Sequence, residues 1–232
     1  MNEDREIENL FGAQILQYLK NKNRGGASND RGNTYENFFA VYQLALLAKD
    51  VIEDNKIIYF LSQVRSFVDD LIINYANEEI LQHYQLKNSQ NVNWITGEHP
   101  ICDDFRKQFQ LNESKGKNSK ISLVVSLSRL KDKLTNEMPE DIKSYSQVEH
   151  FYYDSSLMKV LDQEPEFKQA VEYLCCFDNP EKDKIECVAS VLVGAWCSID
   201  RSNASVLDIL KKAQDCNPSY VRSRGTREWT LM

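Results

Sequence analysis

A run of apolar, largely β-branched residues broken by two carboxylates, Phe67-Val68-Asp69-Asp70-Leu71-Ile72-Ile73, constrains this chain more than any other segment. Apolar residues on both sides of the Val68-Asp69-Asp70 step are the pattern of a strand buried between two helical layers, and the expected strand runs from Val64 to Asn74. A charged pair inside such a strand needs a reason. Asn74 to Asn77 supply turn chemistry, and a second strand is expected over Ile80–Lys87. Alternation there sets His83, Gln85 and Lys87 on one face and Tyr84 and Leu86 on the other. A carboxylate of the first strand can then sit beside Lys87 of the second.

Flanking segments extend the pattern. Ile7, Leu10, Phe11, Ile15, Leu16 and Leu19 recur at helical spacing, predicting one helix over Ile7–Lys20 and then a flexible link through Gly25-Gly26. Asn33 or Thr34 caps a second helix to about Asp50, with Glu36 in its first turn, where the helix dipole favours a carboxylate. That helix is apolar nearly all round and is expected to pack on the sheet and be covered again. Another strand is expected at Ile57–Leu61, a helix at Asp103–Phe109 and a strand at Ile121–Leu127. Helix, three strands, helix, strand, helix is the order of an α/β sandwich with a mixed sheet. Helical patterns then recur near 165–177, 182–199 and 204–213. The expected division is an N-terminal helix and linker over 1–27, an α/β domain over 28–145, and a smaller, mainly helical region over 146–232.

Composition narrows the classes. The 232 residues, 42% hydrophobic and 27% charged, suit a globular rather than a disordered chain. Ile185–Ile199 is too short and polar to span a bilayer, and the opening Met-Asn-Glu-Asp-Arg-Glu is no signal segment, so a cytoplasmic protein without a membrane partner is expected. The six cysteines show no zinc-ligand spacing and are expected to be reduced and mostly buried. A net charge of −7 argues against a general nucleic-acid coat but not against a local basic groove. Arg24, Arg31, Arg65, Arg106, Lys107, Lys115, Lys117 and Lys120, with Arg222, Arg224 and Arg227, are candidates to line one; scattered surface charge is the alternative for each.

A metal-dependent phosphodiesterase needs carboxylates to hold Mg²⁺ and a cation to stabilise charge at phosphorus. Asp70, Glu36 and the Gln85–Lys87 segment can supply that set, the neutral Gln85 being a weak ligand helped by the peptide carbonyl of Leu86. Asp69 is the second choice for the acid, because adjacent residues of a strand point oppositely. A buried Asp70–Lys87 ion pair retained for fold specificity is the competing reading. His83 shares the candidate face and could meet a DNA phosphate or a metal's outer shell. Trp94 is expected as a core or loop anchor, Asp103 and Asp104 as caps of a helix, His99 and His150 as exposed, and Asn217–Arg224 as a docking arm or a solvated tail.

The order Arg31-Gly32-x-x-Tyr35-Glu36-x-Phe38, then Val68-Asp69-Asp70-Leu71-Ile72-Ile73, then Tyr84-Gln85-Leu86-Lys87 resembles the PD-(D/E)XK nuclease family in its Gln-x-Lys variant, as in Mrr-like restriction endonucleases. More closely it resembles the Cap-type double-stranded DNA endonuclease effector domain of bacterial anti-phage systems such as CBASS and Lamassu. The resemblance covers roughly residues 28 to 130. It implies a restriction-endonuclease-like sandwich, cleavage of double-stranded DNA, dependence on Mg²⁺ with Mn²⁺ as a substitute, and control by oligomerisation. By the same resemblance Asp70, Gln85, Leu86 and Glu36 surround the metal and Lys87 is the catalytic lysine. In the Lamassu type the partners are an SMC-like ATPase and a small accessory subunit, and the active state is a homo-oligomer. A catalytically silent subunit of the same fold, binding DNA or scaffolding a complex, is the alternative, motivated by the missing carboxylate at Gln85.

Overall fold

The computed structural model describes residues 3–29, 34–215 and 219–222, with the side chains of Glu3 and of residues 23–29 left undescribed. Arg24, the Arg31-Gly32 pair, Asn33, Arg224 and Arg227 therefore carry expectations that lie outside the described side chains. The chain forms an α/β structure with a mixed sheet of strand order β5-β4-β3-β2-β1-β6. It divides into two units, residues 1–33 with 60–151 and residues 34–59 with 152–232, and the division falls inside β1 (Ile58–Leu61).

The first unit opens with α1 (Glu3–Phe11) and α2 (Ala13–Asn29). The single helix expected here is broken at Gly12, whose φ of 85° suits a residue without a Cβ. Helical backbone then continues through Gly25-Gly26, where a link was expected. Ile7, Leu16 and Leu19 are buried together with Phe67 and Leu111.

Next come β2 (Leu71–Tyr75) and β3 (Ile80–Lys87), antiparallel, with Tyr75 opposite Ile80 and Leu71 opposite Tyr84. Residues 76–79 close the hairpin, with Glu79 in the left-handed region at φ 54° and Glu78 N–H donating to the Tyr75 carbonyl at 3.1 Å. The strand expected from Val64 is shorter than its apolar run. Residues 62–70 form a loop turned by Gln63 at φ 57° and closed by Gln63 N–H donating to the Asp69 carbonyl at 3.0 Å. Phe67 and Val68 are fully buried in that loop, so their apolar character reports burial rather than strand.

Helix α4 (Ile101–Ser114) leads to β4 (Asn118–Val125), then α5 (Ser128–Asn136), a 3-10 turn (Glu140–Ile142) and β5 (Ser146–His150). β4 runs parallel to both β3 and β5, which makes the sheet mixed. Ile121, Leu123 and Val125 project from one face of β4 into a core with Phe105, Leu130 and Leu134, where Trp94 donates from Nε1 to the Leu134 carbonyl at 2.8 Å. Trp94 is a core anchor.

The second unit is built on α3 (Thr34–Glu53), buried along most of its length, with α6 (Leu157–Gln163), α7 (Pro165–Leu174), α8 (Lys182–Cys197), β6 (Ala204–Ser205) and α9 (Val206–Gln214). Helices α7, α8 and α9 cover α3, which thus belongs with the C-terminal helices and not with the rest of 28–145. Residues 219–222 dock on the end of α7: Val221 bridges Cys175, and Arg222 N–H donates to the Leu174 carbonyl at 2.7 Å. This part of the expected arm is held against the chain, with Val221 buried and Ser219 exposed. Of the described cysteines, all unbridged, Cys102 and Cys175 are buried while Cys176 and Cys197 are exposed. No helix among the described residues is long and apolar enough to cross a membrane.

Candidate functional site

The 62–70 loop delivers two adjacent carboxylates to the edge of the hairpin, and side chains hold it in place. Gln108 Oε1 on α4 accepts from Ser66 Oγ at 2.6 Å, Phe67 N–H at 2.9 Å and Val68 N–H at 3.4 Å. Gln108 Nε2 donates to Asn112 Oδ1 at 3.0 Å, Asn112 Nδ2 to His83 Nε2 at 3.0 Å, and His83 Nδ1 to the Val68 carbonyl at 3.0 Å. Each donor in this buried relay meets an acceptor, so the polar groups in the core are satisfied. The bonding requires a neutral His83, and burial lowers its pKa from 6.5 to about 4, with Lys115 acting in the same sense against the Val68 bond. At 2% exposure His83 is a structural member of the core, not the phosphate or metal contact that its strand face suggested.

Continuing the hairpin register by one step sets Asp70 opposite Gln85. Asp70 Oδ2 accepts from Gln85 Nε2 and, at 2.7 Å, from the Leu86 backbone N–H. Among the described residues both donors converge on Oδ2 and none reaches Oδ1. Lys87, half-buried at the end of the same strand, acts on Asp70 through its charge. Burial raises the Asp70 pKa above the ordinary carboxylate value, against the opposing pull of Lys87, the Leu86 N–H, Lys22 and Gln85. Among the described residues no carboxylate comes within 4.0 Å of the Lys87 ammonium, so the close Asp70–Lys87 pair of the competing reading is not formed.

Asp69 turns the other way, as adjacent residues should. It lies 3.5 Å from Lys22 on α2, which also reaches Asp104 at 3.4 Å and donates to the Phe67 carbonyl. Tyr18 Oη donates to Asp104 Oδ2 at 2.8 Å, and Asp104 Oδ1 is buried with no partner among the described residues. Burial pushes the Asp69 pKa from 3.8 to about 6; Lys22 opposes this, and Asp70 and Asp104 add to it. The Tyr18 hydroxyl is pushed well up by burial and by Asp104. Asp104 is therefore drawn into a cluster with α2 instead of capping α4, and Asp103 pairs with Arg106 at 2.6 Å.

Of the expected site residues, Asp70, Gln85, Leu86 and Lys87 are brought together. Glu36 lies in the first turn of α3, in the other unit. Among the described residues, five of the expected groove cations are engaged by the chain itself: Arg65 with Asp4, Arg106 with Asp103 and Asp141, Lys115 with Glu6, Lys117 with Glu79, and Lys107 over the Phe67 ring. Sequence reasoning read Asp104 as a helix cap and missed Lys22, Gln108 and Asn112. A signal existed for the last two: Gln108 and Asn112 are four apart and flank Leu111 on the buried face of α4.

For a cation, Asp70 Oδ1, the Gln85 amide oxygen and the Leu86 carbonyl are the candidate donors. That set suits an ion such as Mg²⁺, which keeps several waters and takes one or two protein carboxylates with substrate phosphates. It does not suit a cage, and among the described residues no three His, Cys, Asp or Glu side chains gather to hold a metal. Comparison with family models, with curated proteins and with solved structures gives no match.

Proposed function

We propose that this chain is a Mg²⁺-dependent double-stranded DNA endonuclease with a restriction-endonuclease-like fold. We place it as a cytoplasmic subunit of a Lamassu-type anti-phage complex with an SMC-like ATPase and a small accessory subunit, active as a homo-oligomer. The observation that carries the nuclease reading is the convergence of Gln85 and the Leu86 N–H on Asp70, with the charge of Lys87 acting on the same carboxylate. The motif resemblance supports the choice of DNA and of the defence complex.

In this reading Asp70 Oδ1 and the Gln85 and Leu86 carbonyls would hold Mg²⁺, and Glu36, which the resemblance adds as a helix acid, lies in the other unit and is given no part in the site. When bound, the ion supplies Lewis-acid stabilisation of charge at the phosphoryl group. Lys87 Nζ donates to a non-bridging phosphate oxygen and stabilises the same charge from the protein side. The Leu86 N–H and the Gln85 amide fix the rotamer of Asp70, so its free oxygen is aimed without cost at the moment of reaction.

A second reading has its own observation: Gln85 is neutral and gives its N–H to the one acid it should assist, as suits a subunit that binds DNA without cutting it. Cleavage of supercoiled and linear duplex by the concentrated protein, with Mg²⁺ or Mn²⁺ and beside EDTA, separates the two. We expect nicking that falls by about a hundredfold or more in Lys87→Ala, the usual loss when one charge-stabilising donor is removed. Absence of cutting by the wild type at concentrations that force self-association selects the silent subunit.

A further inference from the structure

The sheet face that carries Asp70, Gln85 and Lys87 continues into a cavity. Alternation puts Leu81 and His83 of β3 on the side of Gln85 and Lys87, and Ile72 and Asn74 of β2 on the side of Asp70. These four residues line a cavity of about 340 Å³, together with Arg65 of the 62–70 loop and Lys115 at the end of α4. His83 and Gln85 are two positions apart, so the cavity begins about 7 Å along the strand from the candidate site. Two long cations thus share one cavity, on the surface where the reacting phosphate is expected.

Their present counter-ions come from α1. Asp4 accepts from Arg65 and lies 3.0 Å from Lys20; Glu6 lies 3.9 Å from Lys115 and accepts from Ser114 Oγ at 3.1 Å. The helix is fixed by Ile7, fully buried, and Phe11, whose ring meets Phe67 edge-on at 5.3 Å. Gly12, at φ 85°, separates it from α2. The α1 carboxylates supply the charge and acceptor oxygens that phosphodiesters would otherwise supply to Arg65 and Lys115.

We propose that Arg65 and Lys115 are a phosphate-binding position for duplex DNA, and that Asp4 and Glu6 occupy it as internal counter-anions that DNA must displace. The choice of duplex DNA rests on the nuclease reading; the competition between carboxylate and phosphate does not. The test is equilibrium binding of a fluorescent mixed-sequence duplex by the full chain in EDTA, where cleavage plays no part, across a salt series. Asp4→Asn/Glu6→Gln should tighten binding severalfold and steepen the log–log salt slope by up to about two, roughly 0.9 for each additional phosphate neutralised. Arg65→Gln/Lys115→Gln should weaken binding and abolish the effect of neutralising Asp4 and Glu6. Glu8→Gln, set beside Asp4→Asn alone, removes the same charge from the same helix and should change little, and circular dichroism of each variant checks that α1 stays folded.

Tightening by Glu8→Gln equal to that by Asp4→Asn, tightening that survives without Arg65 and Lys115, or no binding by any variant at low salt overturns the proposal. The nuclease reading is scored separately by Lys87-dependent cutting with metal. A chain that binds through Arg65 and Lys115 without cutting keeps this inference and loses that one.

Discussion

His83 and Asp69 titrate in opposite senses on either side of the same buried loop. His83 stays neutral in the fold down to about pH 4 but takes up a proton near 6.5 when unfolded, so stability falls as the pH drops through that window. Asp69 is protonated in the fold below about pH 6 but only below 3.8 when unfolded. Its contribution is fully present below the lower value and is lost as the pH rises through the upper one. Between about pH 6 and 4 the two effects oppose each other. Asp69→Asn removes the gain on acidification and should steepen the acid-side loss by up to about 1.4 kcal/mol per pH unit. Urea denaturation from pH 7 to pH 4 measures this, and parallel profiles for variant and wild type would show that burial does not perturb Asp69. Asp70, Gln85 and Lys87 were readable at this scale because a hairpin joins near neighbours at period two. Lys22 was not, because nothing in its own helix tells that a carboxylate pair distant in sequence will bury it.

At the scale of elements, hydrophobic periodicity located most helices and strands but misjudged where they stop. The Ile7–Lys20 pattern runs through Gly12 without a break in spacing, yet the backbone turns there into a conformation that side chains disfavour. An added Cβ at Gly12 meets nothing within 4 Å, so the cost of Gly12→Ala is conformational, about 1–2 kcal/mol in chemical denaturation. Gly12→Asn should lose less, since Asn tolerates the left-handed region better. A neutral or stabilising Ala would mean that α1 and α2 can run on as one helix. The 62–70 loop shows the converse error. Its apolar residues read as strand because burial and strand share a composition, but its N–H groups are satisfied by a side chain, Gln108, which no strand pattern encodes.

For the whole molecule, the two units interleave along the chain, so a segment cut at the expected boundary takes α3 away from its cover. A fragment ending at residue 151 keeps Phe38, Phe39 and Leu44 without α7, α8 and α9, and it should aggregate or lose helicity. Size-exclusion chromatography and circular dichroism of that fragment test this, and a monodisperse, fully helical product would show that α3 needs no C-terminal partner. The α/β class, the β2–β3 hairpin and the meeting of Asp70 with Gln85 were determined by the sequence alone, because those features depend on side-chain alternation and on a turn a few residues long. The burial of Lys22 against Asp69 and Asp104, the Gln108–Asn112–His83 relay, the pairing of Arg65 and Lys115 with α1, and the partners of α3 were decided only by the tertiary structure. Each joins residues brought close by packing of separate elements, and the chain between them carries no periodic signal of which surfaces will meet.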